Sequence, residues 1–245
     1  MVSKLKIKHP KIDKENRCEN CIIRHLNALK DLDNKTLAHI SDSKETLAID
    51  KGELIFKEGQ TLKGLYCIKQ GNPRLSKISD NGKDQIIRIA SKGELLGYRT
   101  LVSGKKTNLS AVALNNMEVC FIPKEQISKL IDDKRFTKSL LVYISNELKE
   151  SDNRLVNMAQ QNVKQRLAQL LIYLDNNFGC DKKGFINLSL SRIEISNILG
   201  TSKEGCIRMI SNFRKEKLID LKGKKIKIID FDALVKIELG FTEQS

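Results

Sequence analysis

Two sets of side chains in this sequence could do chemistry. The first is the six cysteines, Cys18, Cys21, Cys67, Cys120, Cys180 and Cys206. Thiols can pair by oxidation, attack an electrophile or ligate a soft metal. The second is an excess of cations between Ser189 and Lys227, where ten Lys/Arg stand against four Asp/Glu, a balance that suits a phosphate backbone. Catalytic groups are scarce by comparison. The three histidines, His9, His25 and His39, all lie in the first forty residues. No nucleophile–base spacing, Walker loop or GxGxxG stretch occurs, so the chain reads as a non-enzyme.

The cationic stretch carries its own positioning elements. Ser191-Arg-Ile-Glu194 is a capping-box pattern that opens a helix, with Ile195, Ile198 and Leu199 on one face and Gly200 placed to end it. Thr201 or Ser202 can cap a second helix. On that helix Cys206, Met209, Ile210 and Phe213 recur at i, i+3, i+4 and i+7, which is a buried stripe. Lys203, Glu204, Ile207, Arg208 and Ser211 fall on the opposite side. Leu218–Leu221 and Ile226–Ile229 then flank Lys222-Gly-Lys-Lys225 as a basic hairpin. Two capped helices, a tight turn and a hairpin make a winged helix-turn-helix, the architecture of a double-stranded DNA reader. Ser189, Ser191 and Ser202 can offer hydroxyls and helix starts to phosphates or serve only as caps.

Upstream the texture changes. Residues 1 to about 16 read as a loose, Lys-rich arm. Arg17 to Ile40 reads as helix, with Ile22, Leu26, Leu29, Leu37 and Ile40 supplying its apolar faces. From Thr46 to Pro123, β-prone runs alternate with glycines: Leu54–Phe56, Leu65–Ile68, Gln85–Ile89, Leu109–Leu114 and Val119–Ile122, with Asp80-Asn-Gly82 as a hairpin turn. Short strands with frequent turns predict an antiparallel sandwich or barrel. Cys67 falls within one such strand and reads as core, Cys206 lies in the buried stripe, and Cys180 sits in a loop.

A long helix follows, from about Arg135 to Met158. Leu141, Ile144, Leu148, Ser151, Leu155 and Met158 are spaced 3, 4, 3, 4, 3, which is a heptad seam and predicts a parallel homodimer. Asn162–Phe178 is a further amphipathic helix, and Asn176–Gly184 a loop. The expected class is α+β, with a β-roll, a dimerisation helix and a winged helix-turn-helix. The boundaries are 1–45, 46–134, 135–159 and 160–245.

A net charge of +14 favours a polyanionic partner. No apolar run approaches a membrane span, and the basic N-terminus lacks the apolar core of a secretory signal. The expectation is a cytoplasmic protein without a membrane partner, its cysteines kept as thiols or ligands.

This order of elements resembles the CRP/FNR family of bacterial transcription regulators, from Cys18 to the C-terminus. Lys51–Gly59 and Leu65–Gly71 look like the opening strands of the family's β-roll, also seen as a cyclic-nucleotide-binding-like jelly roll. Val163–Ala168 looks like the helix before its DNA-binding unit, and Leu199–Arg208 is similar to its recognition-helix signature. The resemblance implies that Glu204 and Arg208 read base edges of a TGA-type half-site, with Arg208 on guanine O6/N7 and Glu204 accepting from cytosine N4. Lys203 stands where the family often has Arg, and Ile207 where it usually has Gly, Ala or Ser. RNA polymerase is a further implied partner.

For the effector, the resemblance places Gly97, Tyr98, Thr107 and Asn108 in the pocket. Cyclic-AMP-binding members carry Gly-Glu and Arg-Ser pairs there, so the phosphate-binding Arg is missing, with Lys105 and Lys106 as nearby cations, and the effector is left unidentified. The oxygen-sensing branch holds a [4Fe–4S] cluster on four cysteines. Cys18, Cys21 and Cys120 match three of these, Asn27 matches the fourth, and His25 is the nearby stand-in. No cofactor is therefore expected. The alternatives are an iron–sulfur redox regulator and a cyclic-nucleotide-binding module that binds no DNA.

Overall fold

The fold is taken from a computed structural model of the chain, which describes residues 6–7 and 17–241. The arm expected over residues 1 to about 16, with His9, lies outside the described residues except for Lys6 and Ile7. The chain divides into two compact units, Met1–Lys149 and Glu150–Ser245.

The first unit is built on two antiparallel sheets. One has the order β1-β2-β9-β4-β7, formed by Lys6–Ile7, Glu45–Ile49, Met117–Pro123, Gly64–Gln70 and Leu95–Leu96. The other has the order β3-β8-β5-β6, formed by Leu54–Phe56, Ser110–Ala113, Pro73–Ile78 and Asp84–Ile89. Between them lies a core of Leu47, Ile49, Phe56, Tyr66, Ile68, Leu75, Ala111 and Val119, among others. The β5–β6 hairpin closes at the expected Asp80-Asn-Gly82 turn, where Gly82 takes φ +77 and Ser79 N–H bonds Lys83 O at 2.9 Å.

The five-stranded sheet is buried on both faces, which explains why β4 is a continuous apolar run. Tyr66 and Ile68 point to the inter-sheet core. Leu65 and Cys67, with Cys120 and Ile122 of β9, join a second core on the other face. That core is covered by Cys18, Ile23, Ala28, Leu29 and Leu32, by α1 (Asn34–Ser43), by α3 (Lys124–Ile131) and by Phe136 and Leu140 of α4 (Lys134–Gln160). A small helix, α2 (Tyr98–Ser103), follows β7.

One expectation fails here. Arg17–Ile40 is not a continuous helix but two short 3-10 turns, Cys18–Asn20 and Ile22–Leu26, before α1. Cys21 and Asn27 are both extended. The Asn27 amide is the physical reason: it donates to Gly93 O at 2.9 Å and its oxygen accepts from Leu29 N–H at 2.9 Å, competing with the helical ladder. Ile22 and Leu26, expected on an apolar face, are exposed, and Ile23 is buried instead. The true helix start is Asp33, whose carboxylate accepts from Thr36 N–H at 2.8 Å.

In the second unit α5 (Val163–Phe178) begins with an Asn162/Gln165 capping box and α6 (Arg192–Leu199) with the predicted Ser191/Glu194 box. The sequence reading missed α8 (Phe231–Glu238). Ser191→Ala removes one acceptor and is expected to cost ~1 kcal/mol, read as a lower denaturation midpoint of the second unit.

Candidate nucleic-acid interface

Gly200 adopts φ +63, ψ +40 at the end of α6, a left-handed step that glycine takes without a Cβ penalty. Three residues later α7 (Lys203–Lys215) begins, capped by Ser202 Oγ accepting from Gly205 N–H at 3.0 Å. Its inner side is Cys206, Ile210 and Phe213, all buried, with Met209 at the margin. Lys203, Glu204, Ile207, Arg208 and Ser211 are all exposed, together on the outer side.

Neighbouring side chains hold this rod in place. Arg166 of α5 donates to Leu199 O at the end of α6 (3.0 Å) and to Gln161 O (2.6 Å). Lys164 pairs with Glu216, just past α7, at 3.1 Å. The wing is β10 (Ile219–Lys222) against β11 (Lys225–Ile228), turning at Gly223–Lys224. Lys225 bonds Asp181 at 2.7 Å and holds its carboxyl down to about 2. Lys222 and Lys224 stay exposed beside it. Of the candidate serines, Ser191 and Ser202 are helix caps, Ser189 is half-buried ahead of α6, and Ser211 is exposed on α7.

On α4, Leu141, Leu148, Ser151, Leu155 and Met158 are exposed. Ile144 differs: it is half-buried and packs against the outer core of the first unit. Val142 and Val156 are exposed on other sides of the same helix.

The four expected effector residues, Gly97, Tyr98, Thr107 and Asn108, do line one cavity, together with Arg88 and Arg99. Its volume is about 30 Å³, room for one water and not for a nucleotide. Gly97 takes φ +90, and a Cβ there would sit 2.8 Å from Leu62. Lys105 and Lys106 are exposed and do not line the cavity.

Arg88 was not foreseen, because nothing in Gln85–Ile89 distinguishes it from a surface arginine. It is bound by Glu94, and by Glu147 of α4 at 2.7 Å. Glu147 also accepts from the Tyr98 hydroxyl and from Arg99 at 2.9 Å. Burial works against the Glu147 charge, yet Arg88, Tyr98 and Arg99 hold its carboxyl below the usual range. Burial and the same carboxylate push Tyr98 up to about 12. Two arginines against two carboxylates leave the cavity neutral, with no net pull on a phosphate.

Cys18, Cys67 and Cys120 are buried and Cys21 is half-buried. Cys206 is buried and Cys180 exposed. Burial pushes the Cys67 and Cys120 thiols up. Hydrogen bonding to Asp175 adds to partial burial at Cys180, placing that thiol at about 11 rather than making it reactive. Among the described residues no group of three or more His, Cys, Asp or Glu is set to hold a metal ion. No helix among them is long and apolar enough to cross a membrane.

Two family models match: a cyclic nucleotide-binding domain over residues 46–134 and a Crp-like helix-turn-helix domain over residues 165–237. The chain is 29% identical over 228 residues to the fumarate and nitrate reduction regulatory protein of Escherichia coli K12, covering 90% of this chain and 89% of that one. It is 28% identical to the protein of the same name from Vibrio cholerae, covering 93% and 92%. Among solved structures, a transcriptional regulator of the CRP/FNR family from Eubacterium rectale aligns with a TM-score of 0.73 at 21% identity, over 85% of this chain and 96% of that one. FixK2 from Bradyrhizobium japonicum aligns at 0.70 and 21%, over 80% and 97%. These two structural likenesses bear on the fold alone.

Proposed function

We propose, from the premise that this chain belongs to the CRP/FNR family of transcription regulators and is a DNA-binding regulator of that type, that it works as a homodimer in the cytoplasm on a pseudo-palindromic operator. Members of this family are transcription regulators and not enzymes. The observation that carries the reading is the outer face of α7, where Lys203, Glu204, Ile207, Arg208 and Ser211 stand in solvent while Cys206, Ile210 and Phe213 are sealed beneath them.

Arg208 reads a guanine bidentately, Glu204 accepts from a cytosine amine, and Ile207 touches a thymine methyl. Lys203 supplies a point charge, and Ser211 a hydroxyl, at the edge of the same groove. Amides at the start of α7, with Lys222 and Lys224 on the wing, meet phosphates and fix register. Two copies joined along Leu141, Leu148, Ser151, Leu155 and Met158 present two such helices ~34 Å apart, one turn of duplex. Ile144 supports α4 from within its own unit. The bound dimer then acts on RNA polymerase.

Arg208→Ala tests the assignment. It is expected to weaken binding of the preferred operator by ~1–3 kcal/mol and relax preference at one base pair per half-site. In vitro selection with wild type and variant reads both effects. A loss spread evenly over all sequences makes Arg208 a phosphate contact and removes it from base reading.

A further inference from the structure

Apolar packing does not fix the last turns of α4. No side chain from Glu150 to Gln160 is buried, and the buried core of the second unit starts only at Leu167. A single guanidinium spans the gap. Arg166, half-buried near the start of α5, donates from Nη1 to Gln161 O at 2.6 Å and to Met158 O at 3.2 Å. From Nε it donates to Leu199 O at 3.0 Å. The first two carbonyls close α4 and its link to α5. The third closes α6, immediately before the left-handed Gly200. All three stand at helix ends, where carbonyls lack an intrahelical partner and a cation complements the helix dipole.

Other groups converge on the same turn. Lys164 pairs with Glu216, just past α7, and the Asn162/Gln165 box caps α5 there. The start of α5 is therefore a crossing where the ends of α4, α6 and α7 are tied. Met158 is itself the last member of the proposed α4 seam, so Arg166 links the end of that seam to the turn that leads into α7. The planar fork of an arginine can hold carbonyls on two helices in fixed directions, which the single ammonium of a lysine cannot.

We infer that Arg166 is a positioning residue that sets the separation at which two half-sites are read, an inference that rests on the homodimer reading above. It acts on α4, along which the copies join, and through α6 on α7, which reads each half-site. One extra base pair between half-sites moves the second by ~3.4 Å along the duplex and turns it by ~34° around it. A dimer accepts a single separation only when each α7 is held to the shared α4 axis more tightly than that. Side-chain burial on α4 offers no such hold in the second unit, and the hydrogen bonds of Arg166 supply it. Without them each α7 would pivot at Gln161–Asn162, where the last α4 hydrogen bond, Gln161 N–H to Asn157 O at 2.9 Å, gives way to the α5 cap.

The test is in vitro selection by the full-length chain from duplexes in which the number of base pairs between half-sites varies. Wild type is compared with Arg166→Met, which keeps an aliphatic stem and removes every donor. Wild type should bind a site one base pair too long or too short ~10²-fold more weakly, the avidity lost when both halves cannot be engaged at once. In Arg166→Met that gap should shrink below ~10-fold, with the half-site letters unchanged. Circular dichroism and sedimentation should match wild type. If methionine unfolds the second unit, Arg166→Lys, which keeps the charge without the fork, takes its place with the same expectation. A variant that keeps the full gap, even at lower affinity, overturns the inference, because a loss of stability weakens every separation alike. Altered half-site letters also overturn it and put Arg166 into base reading. Wild type that selects unpaired half-sites overturns the homodimer reading, and this inference with it.

Discussion

Replacing Leu148 and Leu155 together by glutamate is expected to leave a folded monomer and to weaken operator binding by ~10²–10⁴-fold, the advantage of engaging two half-sites through one linked molecule. Both leucines are more than 60% exposed, so neither contributes a packed core to its own chain. Substitutions at such positions ordinarily move stability by only about 0.5 kcal/mol. In a parallel seam each residue lies close to its own copy on the partner. Each glutamate therefore meets a second glutamate while losing apolar area worth ~25 cal/mol per Å². The carboxylates stay in water only if the helices part. Sedimentation at micromolar concentration reads the monomer, circular dichroism its intact fold, and titration with the operator the lost affinity. A variant that remains dimeric places the interface elsewhere. Ser151→Leu is the complementary change, expected to tighten the same seam.

How legible the molecule was in its sequence depended on how local each signal is. The helix-turn-helix was readable nearly to the residue. Its caps at Ser191 and Ser202, its left-handed Gly200 and its 3.6-residue stripe each need only a few neighbours in the chain. The hairpin turn at Asp80-Asn-Gly82 was legible for the same reason. Strands β2 and β7 were not named, because their partners lie far away in sequence; β5, although it pairs with the adjacent β6, reads Pro73-Arg-Leu-Ser-Lys-Ile78 and carries no continuous β-prone run. The N-terminal segment misled most. Its apolar residues mimic a helix, but a buried hydrogen bond from Asn27 to Gly93, 66 positions away, decides the backbone. The same nonlocality hid the shared core of Cys67 and Cys18.

The cavity beside Gly97 shows the remaining gap. Gly97, Tyr98, Thr107 and Asn108, which resemblance assigns to an effector pocket, line one cavity. Its chemistry came from elsewhere, from Arg88, Glu94 and Glu147. Glu147 sits on α4, one residue before the exposed Leu148. The cavity and α4 thus share an ion pair. Any ligand that took Arg88 for itself would have to release Glu147, and with it a tether on α4, the helix proposed to pair in the dimer.

Phe213→Ala is expected to destabilise the second unit by ~3–5 kcal/mol, the usual cost of emptying an aromatic site in a closed core. Phe213 is wholly buried, as are Leu167, Ala168, Leu171, Ile195, Cys206 and Leu234 of the same unit. Its backbone carbonyl also accepts from Leu218 N–H at 2.9 Å, where the chain leaves α7 for the wing. The void would therefore lie under both the rod and the hairpin. In a unit of about this size each kcal/mol moves the midpoint by roughly 4–8 °C, so the second unit's transition should fall by at least ~12 °C in calorimetry. The first unit's core contains no part of this site and should melt as before. Operator affinity at low temperature separates two roles for the residue. If the variant still binds with wild-type affinity well below its midpoint, Phe213 acts only by keeping the unit folded. If affinity is lost while the unit is fully folded, the aromatic ring also sets the depth at which Glu204 and Arg208 reach the base edges.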